Sequence, residues 1–155
     1  MSVTSSFFIL LPLLAACLYA AWSDLIYRRI ANWLSLFTAV AGLFASFVID
    51  ASIGELASHA LHMVLALICT MGLYAFGFFG GGDAKFYAAV AAWFPLSQAI
   101  ELLVAVALSG IFVLLGWFIY RRFRGYKISR QANEKSSSLP YGIAIGSGAL
   151  FIAFV

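Results

Sequence analysis

The stretch Gly80-Gly81-Gly82-Asp83-Ala84-Lys85 interrupts a chain that is apolar on both sides of it. Three consecutive glycines destabilise a helix by about 1 kcal/mol each relative to alanine, so a helix break is predicted here. Asp83 then falls at the start of the next helix, where the positive end of the helix dipole favours a carboxylate. A glycine turn with an N-capping aspartate would explain the stretch by itself. An ionisable residue at the edge of a membrane segment is, however, also a candidate functional residue.

The composition of the chain is that of a membrane protein. Of its 155 residues, 65% are apolar and 10% are charged, and the mean hydropathy is +1.04. Soluble domains carry about 25% charged residues. The composition therefore predicts an all-α polytopic membrane protein in which residues 1–155 form one bundle rather than two domains. The net charge of +3 is no indication of nucleic-acid binding, because the basic residues lie in short loops as membrane topology predicts.

The apolar runs predict six transmembrane helices. Their expected bounds are about residues 4–22, 31–49, 56–79, 83–94, 97–120 and 140–155. The fourth is short, because residues 83–94 would form a helix of roughly 18 Å, whereas the hydrocarbon core is about 30 Å thick. Either the bilayer thins there, or Asp83 lies below the membrane surface in a water-accessible pocket.

The basic residues indicate how these segments are oriented. All nine lysines and arginines lie in or immediately beside the connections after the first, third and fifth segments. Because basic loops stay in the cytoplasm, this distribution predicts a cytoplasmic loop at residues 121–139 and places both termini outside. The same loop could bind anionic lipids of the bilayer or act only as a topology anchor.

Two carboxylates fall at the cytoplasmic ends of predicted helices, Asp24 and Asp83, whereas Asp50, Glu55 and Glu101 fall at or near the opposite face. Two adjacent carboxylates share one proton, so the ionised member can activate water while the protonated member donates to a developing oxyanion. This is aspartyl-protease chemistry, and the sequence does not say which aspartate holds the proton. No histidine or cysteine cluster accompanies the pair, so neither a metal nor another cofactor is indicated.

Two residues close to the pair in the sequence are candidate supporting residues. Lys85 is either a positive-inside anchor or a residue that biases the charge of Asp83 or holds the glycine loop. Asn32 is interpreted as the N-cap of the second helix, and it could also hydrogen-bond near Asp24.

Two further pairs are interpreted as structural. His59 and His62 lie three positions apart at the outer end of the third segment, and we interpret them as interfacial residues rather than metal ligands, because no third ligand is evident. Gly142 and Gly146 form a G-x-x-x-G pattern on the last segment, which indicates helix packing rather than catalysis.

Three patches of the sequence together resemble the GxGD intramembrane aspartyl proteases. They resemble most closely the type IV prepilin peptidases, in the small form associated with tight-adherence pilus systems. The patches are Ser23-Asp24-Leu25-Ile26-Tyr27-Arg28-Arg29-Ile30-Ala31-Asn32-Trp33, Gly80-Gly81-Gly82-Asp83-Ala84-Lys85 and Leu139-Pro140-Tyr141-Gly142-Ile143-Ala144-Ile145. The resemblance covers essentially the whole chain. One departure is Ala31, where the family usually has proline, and it puts the rigidity of that turn in doubt rather than the chemistry.

The resemblance implies an aspartic endopeptidase in which Asp24 and Asp83 are catalytic and no cofactor is needed. The implied supporting residues are Gly80, Gly81, Gly82, Lys85 and Asn32. The implied substrate is a type IV prepilin-like protein whose short basic leader is cut, typically after a glycine, at the cytoplasmic face of a bacterial inner membrane. Larger members add a cysteine-bearing domain and methylate the new N-terminus. We see no such domain and no S-adenosylmethionine site, so methylation is not expected.

Two alternatives remain open from the sequence. The chain could be a non-enzymatic membrane component, such as a small transporter or a pilus or secretion assembly subunit, with the aspartates as ion-coupling groups or topology signals. It could also be a GxGD protease that acts on other membrane substrates. The positions of the two carboxyl groups distinguish a protease from the first alternative. A catalytic pair needs both carboxyl groups on one cavity, whereas a transport route continues to the other face of the membrane. No oligomeric state is indicated.

Overall fold

The computed structural model describes residues 3–50, 52–78, 80–123 and 141–155. Within them the α-helices are α1 Val3–Tyr27, α2 Asn32–Asp50, α3 Ile53–Ala75, α4 Gly81–Ala91, α5 Ala99–Phe123 and α6 Tyr141–Phe154, and a 3₁₀ turn, Leu96–Gln98, precedes α5. Four helices are long and apolar enough to cross a membrane, namely α1, α2, α3 and α5, and α6 is a shorter apolar helix. The chain is therefore the all-helical, multi-pass membrane protein that the composition predicts.

The short helix α4 lies at the centre of the bundle. It packs against α2, α3 and α6, and its residues Phe86, Val90 and Ala91 are completely buried. The long helices instead leave large apolar side chains such as Phe44 and Phe112 exposed on the outside of the bundle. This distribution suits a bilayer, because lipid solvates apolar surface and only the inner helix needs to be enclosed by protein.

Helix α1 extends to Tyr27, whereas the sequence predicts its end at residue 22 and a loop over residues 23–30. Asp24 therefore lies in the last turn of α1 and not in a loop. The prediction fails because Ser23 and Asp24 point into the bundle, where they are 7% and 6% exposed, and polar residues that are buried by neighbouring helices do not end a helix. The helix ends instead at Tyr27, and the next residue, Arg28, has a φ of 54° in the left-handed region.

The break between α3 and α4 is wider than predicted. Helix α3 ends at Ala75 rather than at residue 79, and Gly77 follows it with a φ of 79°. Glycine adopts this left-handed conformation without strain, which explains why the chain turns there. The three glycines 80–82 belong to the start of α4, since Gly80 is its N-cap and the other two are its first residues.

The other ends shift by a few residues. Helix α4 ends at Ala91, before the predicted residue 94, and α5 extends to Phe123, so residues 121–123 of the predicted loop 121–139 are helical. Basic residues are favourable at a helix C-terminus, which is a physical reason for this extension. The rest of that loop lies outside the described residues. The orientation of the bundle in the membrane stays a prediction.

His59 and His62 are buried, at 6% and 3% exposure, and not interfacial as the sequence suggests. The Nδ1 atom of His59 lies 3.0 Å from the carbonyl oxygen of Ala92, and that of His62 lies 2.9 Å from the carbonyl oxygen of Phe94. Sequence position alone could not reveal this, because the carbonyl groups that accept from the two rings lie 33 and 32 positions away in the chain.

Candidate active site

Asp24 is held by the N-terminus of α6. The backbone N–H of Gly142 donates to Oδ2 of Asp24 at 2.8 Å, across 118 positions of sequence. Asp24 lies in the last turn of α1, whose dipole disfavours a carboxylate, whereas the start of α6 presents the positive end of its own dipole. The contact with α6 therefore compensates for the unfavourable end of α1 and fixes the direction of the carboxylate.

The turn after Asp24 is tightly defined. Arg28 adopts its left-handed conformation while its N–H donates to the carbonyl oxygen of Asp24 at 3.0 Å. The hydroxyl of Ser23 donates to the carbonyl oxygen of Arg29 at 2.8 Å and so ties the turn back to the helix. A non-glycine residue in the left-handed region costs about 1–3 kcal/mol and is found mainly at functional sites. The turn places the positive charge of Arg28 where it attracts the Asp24 carboxylate.

Asp83 is the third residue of α4, so it is not the N-cap that the simplest interpretation of the sequence assumes. Its carboxylate instead accepts a hydrogen bond from the backbone N–H of Gly80, which is the N-cap. An acidic residue at this helix position commonly reaches back in this way. A Cβ on Gly80 would lie 2.5 Å from Oδ2 of Asp83, so a larger residue here would force that carboxylate to move.

The two aspartates meet at one cavity of about 250 Å³. Its lining residues are Asp24, Arg28, Arg29, Ile30, Gly80, Gly81, Gly82 and Asp83. The carboxyl groups are close enough for their charges to repel each other, so the pair favours a state that shares one proton. Each carboxylate is oriented by a backbone N–H at a helix N-terminus, and the cavity between them has room for water. The structure thus brings together the two residues that the sequence analysis proposes as catalytic.

The glycines allow α4 to approach its neighbours closely. A Cβ on Gly82 would lie 3.4 Å from the carbonyl oxygen of Ile30, and a Cβ on Gly81 would lie 3.4 Å from the ring of Tyr74. A Cβ would be accommodated at either position, whereas a larger side chain would meet the turn after α1 or the ring of Tyr74. The small residues thus let α4 lie close to both neighbours where it lines the cavity.

Lys85 and Asn32 interact with each other. The Nζ atom of Lys85 donates to Oδ1 of Asn32 at 3.1 Å, and both side chains are exposed. Neither is among the residues that line the cavity. The N-cap interpretation of Asn32 is wrong, because α2 begins at Asn32 and the carbonyl oxygen of Ala31 accepts the first helical hydrogen bond. The pair links the start of α2 to α4 beside the site.

Gly142 is the residue that the sequence analysis assigned to packing and that the structure places at the site. Besides its hydrogen bond to Asp24, a Cβ on Gly142 would lie 3.0 Å from Cβ and Oδ2 of Asp24. Gly146 does pack as expected, since its Cβ would lie 3.2 Å from Cβ of Cys17. The signal that could have identified Gly142 is its place in the third patch of the resemblance. Arg28, Arg29 and Ile30 were likewise not singled out.

A larger cavity of about 310 Å³ lies between α3, α5 and α6. Residues such as Leu73, Val106 and Ala144 make its lining mostly apolar, and no carboxylate lines it. The two aspartates therefore line the smaller cavity and not this one. Among the described residues, no group of three or more histidines, cysteines, aspartates or glutamates is arranged to hold a metal ion.

The sequence model of the type IV leader peptidase family matches residues 11–115, which is more than half of the chain and includes both aspartates. No curated protein and no solved structure matches the sequence.

Proposed function

Because the chain belongs to the type IV leader peptidase family, we propose that it is an aspartic endopeptidase with Asp24 and Asp83 as its catalytic pair. Its substrate in this proposal is a type IV prepilin-like protein, whose short basic leader it removes. The observation that carries the proposal is the shared cavity, which is lined by one aspartate from α1 and one from α4. A pair at one cavity favours this chemistry over an ion-coupling role, which would need a route continuing through the bundle.

The reaction needs one ionised and one protonated member of the pair. The ionised carboxylate takes a proton from a water molecule as its oxygen forms a bond to the scissile carbonyl carbon. The protonated carboxyl donates its hydrogen bond to the carbonyl oxygen, which carries the developing negative charge. When the carbon–nitrogen bond breaks, the pair returns a proton to the leaving amine, and the two carboxyl groups share one proton again.

The two helix N-termini support this cycle. The N–H of Gly142 and the N–H of Gly80 each hold one carboxylate without consuming both of its oxygens. The positive ends of α6 and α4 stabilise the single negative charge that remains in the cavity through the cycle. They also hold the two carboxyl groups in place before substrate binds, so little reorganisation is needed at the transition state.

We place the site at the cytoplasmic face of a bacterial inner membrane. The distribution of basic residues supports this orientation, because Arg28, Arg29 and Lys85 all lie at the same end of the bundle as the cavity. A leader that precedes a hydrophobic helix would present its scissile bond at that depth. The small tight-adherence subtype, with cleavage but no methylation, is part of the same proposal and rests on the resemblance of the three patches.

Cleavage of a co-expressed prepilin-like substrate tests the proposal directly. Wild-type protein should convert the substrate to a shorter form, and mass spectrometry should find the new N-terminus immediately after the basic leader and unmethylated. An uncleaved substrate in a membrane that contains folded wild-type protein would refute the proposed activity. A methylated N-terminus, in cells without any other prepilin peptidase, would refute the subtype alone.

The orientation has its own test. Cysteines introduced one at a time at Ser6 and Ser137, in a background with Cys17 and Cys69 replaced by alanine, should be labelled from opposite sides of the membrane. A membrane-impermeant maleimide should reach the first from outside the cell and the second only after the membrane is opened. Labelling of both from the same side would contradict the cytoplasmic placement of the loop 121–139.

A further inference from the structure

We infer that His59 and His62 are positioning residues for the reaction. Their imidazoles fix α4 along its own axis and thereby set the place of Asp83 relative to Asp24. This inference rests on the proposed function, because it describes how the same pair of aspartates is kept in register. It gives a function to two buried histidines that neither line the cavity nor belong to the aspartate pair.

The contacts define the chemistry of both rings. A carbonyl oxygen can only accept a hydrogen bond, so Nδ1 of His59, at 3.0 Å from the oxygen of Ala92, must carry a proton. The same holds for Nδ1 of His62, at 2.9 Å from the oxygen of Phe94. Both rings are buried and lie on successive turns of α3. They are therefore paired donors to the chain segment where α4 ends.

Helix α4 needs such donors because it ends inside the bundle. Its 11 residues form a rod of roughly 16 Å, about half the thickness of the hydrocarbon core. A helix C-terminus leaves carbonyl groups without helical partners, and an unpaired backbone group in a water-free environment costs several kcal/mol. The N–H groups of Trp93 and Phe94 donate to the carbonyl oxygens of Val90 and Ala91. The two histidines supply donors to the next carbonyls of the exiting chain, those of the C-cap Ala92 and of Phe94.

Side-chain packing fixes α4 only in part. Phe86 and Val90 are completely buried, but the other contacts are made largely by alanines, with Ala84, Ala88 and Ala89 all at most 3% exposed. Small side chains let helices approach closely, but they form only shallow ridges and grooves. Directional hydrogen bonds at the end of the helix therefore add to packing in defining its axial position.

Further bonds hold the same segment. The N–H of Leu96 donates to the hydroxyl oxygen of Ser58 at 3.0 Å, and the indole Nε1 of Trp93 donates to the carbonyl oxygen of Thr38 at 2.9 Å. With the histidines, these bonds tie residues 92–96 to α2 and α3 on two sides. Because α4 is a single short helix from this anchored end to Asp83, a shift at one end is transmitted to the other.

The test compares two double variants of the full-length protein. In His59→Leu/His62→Leu the donors are lost, whereas in His59→Asn/His62→Asn an amide N–H lies close to the position of Nδ1. We expect the leucine variant to lose about 10- to 100-fold in kcat, since a displacement of about 1 Å suffices for that, with KM changed less than about threefold. The asparagine variant should recover most of the loss. Leu61→Ala, on the same helix but 48% exposed, is the matched control and should cleave normally.

A second measurement reports the geometry without any catalysis. In a Cys17→Ala/Cys69→Ala background, Asp24→Cys and Asp83→Cys should be joined by a short bifunctional thiol reagent across the cavity. The yield of this cross-link should fall with the leucine pair and return with the asparagine pair. If the wild-type chain cleaves no prepilin-like substrate, the proposed function fails, whereas the cross-link still decides the positioning role.

Three results would overturn the inference. The first is a folded leucine variant with wild-type kcat and cross-link yield. The second is an equal loss in the leucine and asparagine variants, because the imidazole shape and not the N–H would then matter. If the double leucine variant does not accumulate in the membrane, the single variants His59→Leu and His62→Leu replace it, and normal kcat in both would be the third.

Discussion

At its N-terminal end α4 donates a backbone N–H to a carboxylate, and at its C-terminal end the chain accepts hydrogen bonds from two imidazoles. At both ends a polar side chain pairs with a backbone group at or just beyond the helix end, and both use a residue that would be costly in a membrane without that partner. The first end, however, opens on a cavity lined by the two carboxyl groups and two arginines, whereas at the second end both imidazoles are buried.

The difference between the two ends distinguishes a polar group that is accessible to substrate from one that can only support the structure. A buried polar group that is fully paired and surrounded by protein has no access to substrate, so it stabilises or positions. A buried carboxylate that is held on one side and open to a cavity on the other keeps an oxygen free for water. On this ground the proposed function assigns the reaction to the aspartate end of the helix and support to the histidine end, and the predictions below test that assignment.

The largest effect should come from the pair itself. Asp24→Asn and Asp83→Asn should each lower cleavage by about 10²- to 10⁴-fold, because asparagine keeps the shape but cannot exchange a proton with the attacking water. Cleavage of a prepilin-like substrate at matched expression measures this loss. The double variant should cleave no more slowly than the less active of the two single variants, since the two residues act as a unit.

The control for the pair is Glu101→Gln, an exposed carboxylate at the start of α5. It should cleave at the wild-type rate, because it lies away from the cavity. Substantial cleavage by either aspartate variant, with the protein present in the membrane, would show that the pair is not the catalyst. The non-enzymatic interpretation of the chain would then be favoured.

The next largest effect should come from α6, where a substitution beside Asp24 is compared with one farther along the helix. Gly142→Ala should lower kcat by about tenfold or more, because its Cβ would lie 3.0 Å from Cβ and Oδ2 of Asp24 and displace that carboxylate. In Gly146→Ala the new Cβ would lie at a similar distance, 3.2 Å, from Cβ of Cys17. This variant should lose about 1 kcal/mol of stability with little loss of kcat. Kinetics and thermal unfolding in detergent measure the two outcomes, and an equal loss of kcat in both variants would show that α6 contributes only packing.

A smaller effect is expected from the polar pair beside the site. Lys85→Met and Asn32→Ala each remove the exposed bond between Nζ and Oδ1, and exposed pairs of this kind contribute about 0–1 kcal/mol. We expect cleavage within about threefold of wild type for both variants. A loss of about a hundredfold in Lys85→Met but not in Asn32→Ala would instead mean that the lysine acts on the charge of Asp83.

The smallest effect should follow chelation. Treatment with EDTA should leave the cleavage rate unchanged, because a carboxyl pair activates water by proton transfer alone. The control is the same preparation with magnesium or zinc restored in excess. A rate that falls on chelation and returns with one of these ions would assign the two aspartates to a metal site instead.

Several features of this protein were determined by the sequence alone. The high apolar content specifies a multi-pass helical bundle, because apolar helices satisfy their own backbone hydrogen bonds in lipid. The triple glycine marks the entry to α4, because consecutive glycines are unfavourable inside a helix. The three patches together indicate the family, and the match of the family model over residues 11–115 confirms it.

The tertiary structure decided how the polar residues are paired. Asp24 lies inside α1 and binds Gly142 across 118 positions, and His59 and His62 are buried against the end of α4 rather than exposed. The physical reason is the same in each case. Local sequence sets where a helix can begin or end, but the partner of a buried polar group is a backbone atom of a distant helix, and only packing determines which backbone atoms come within reach.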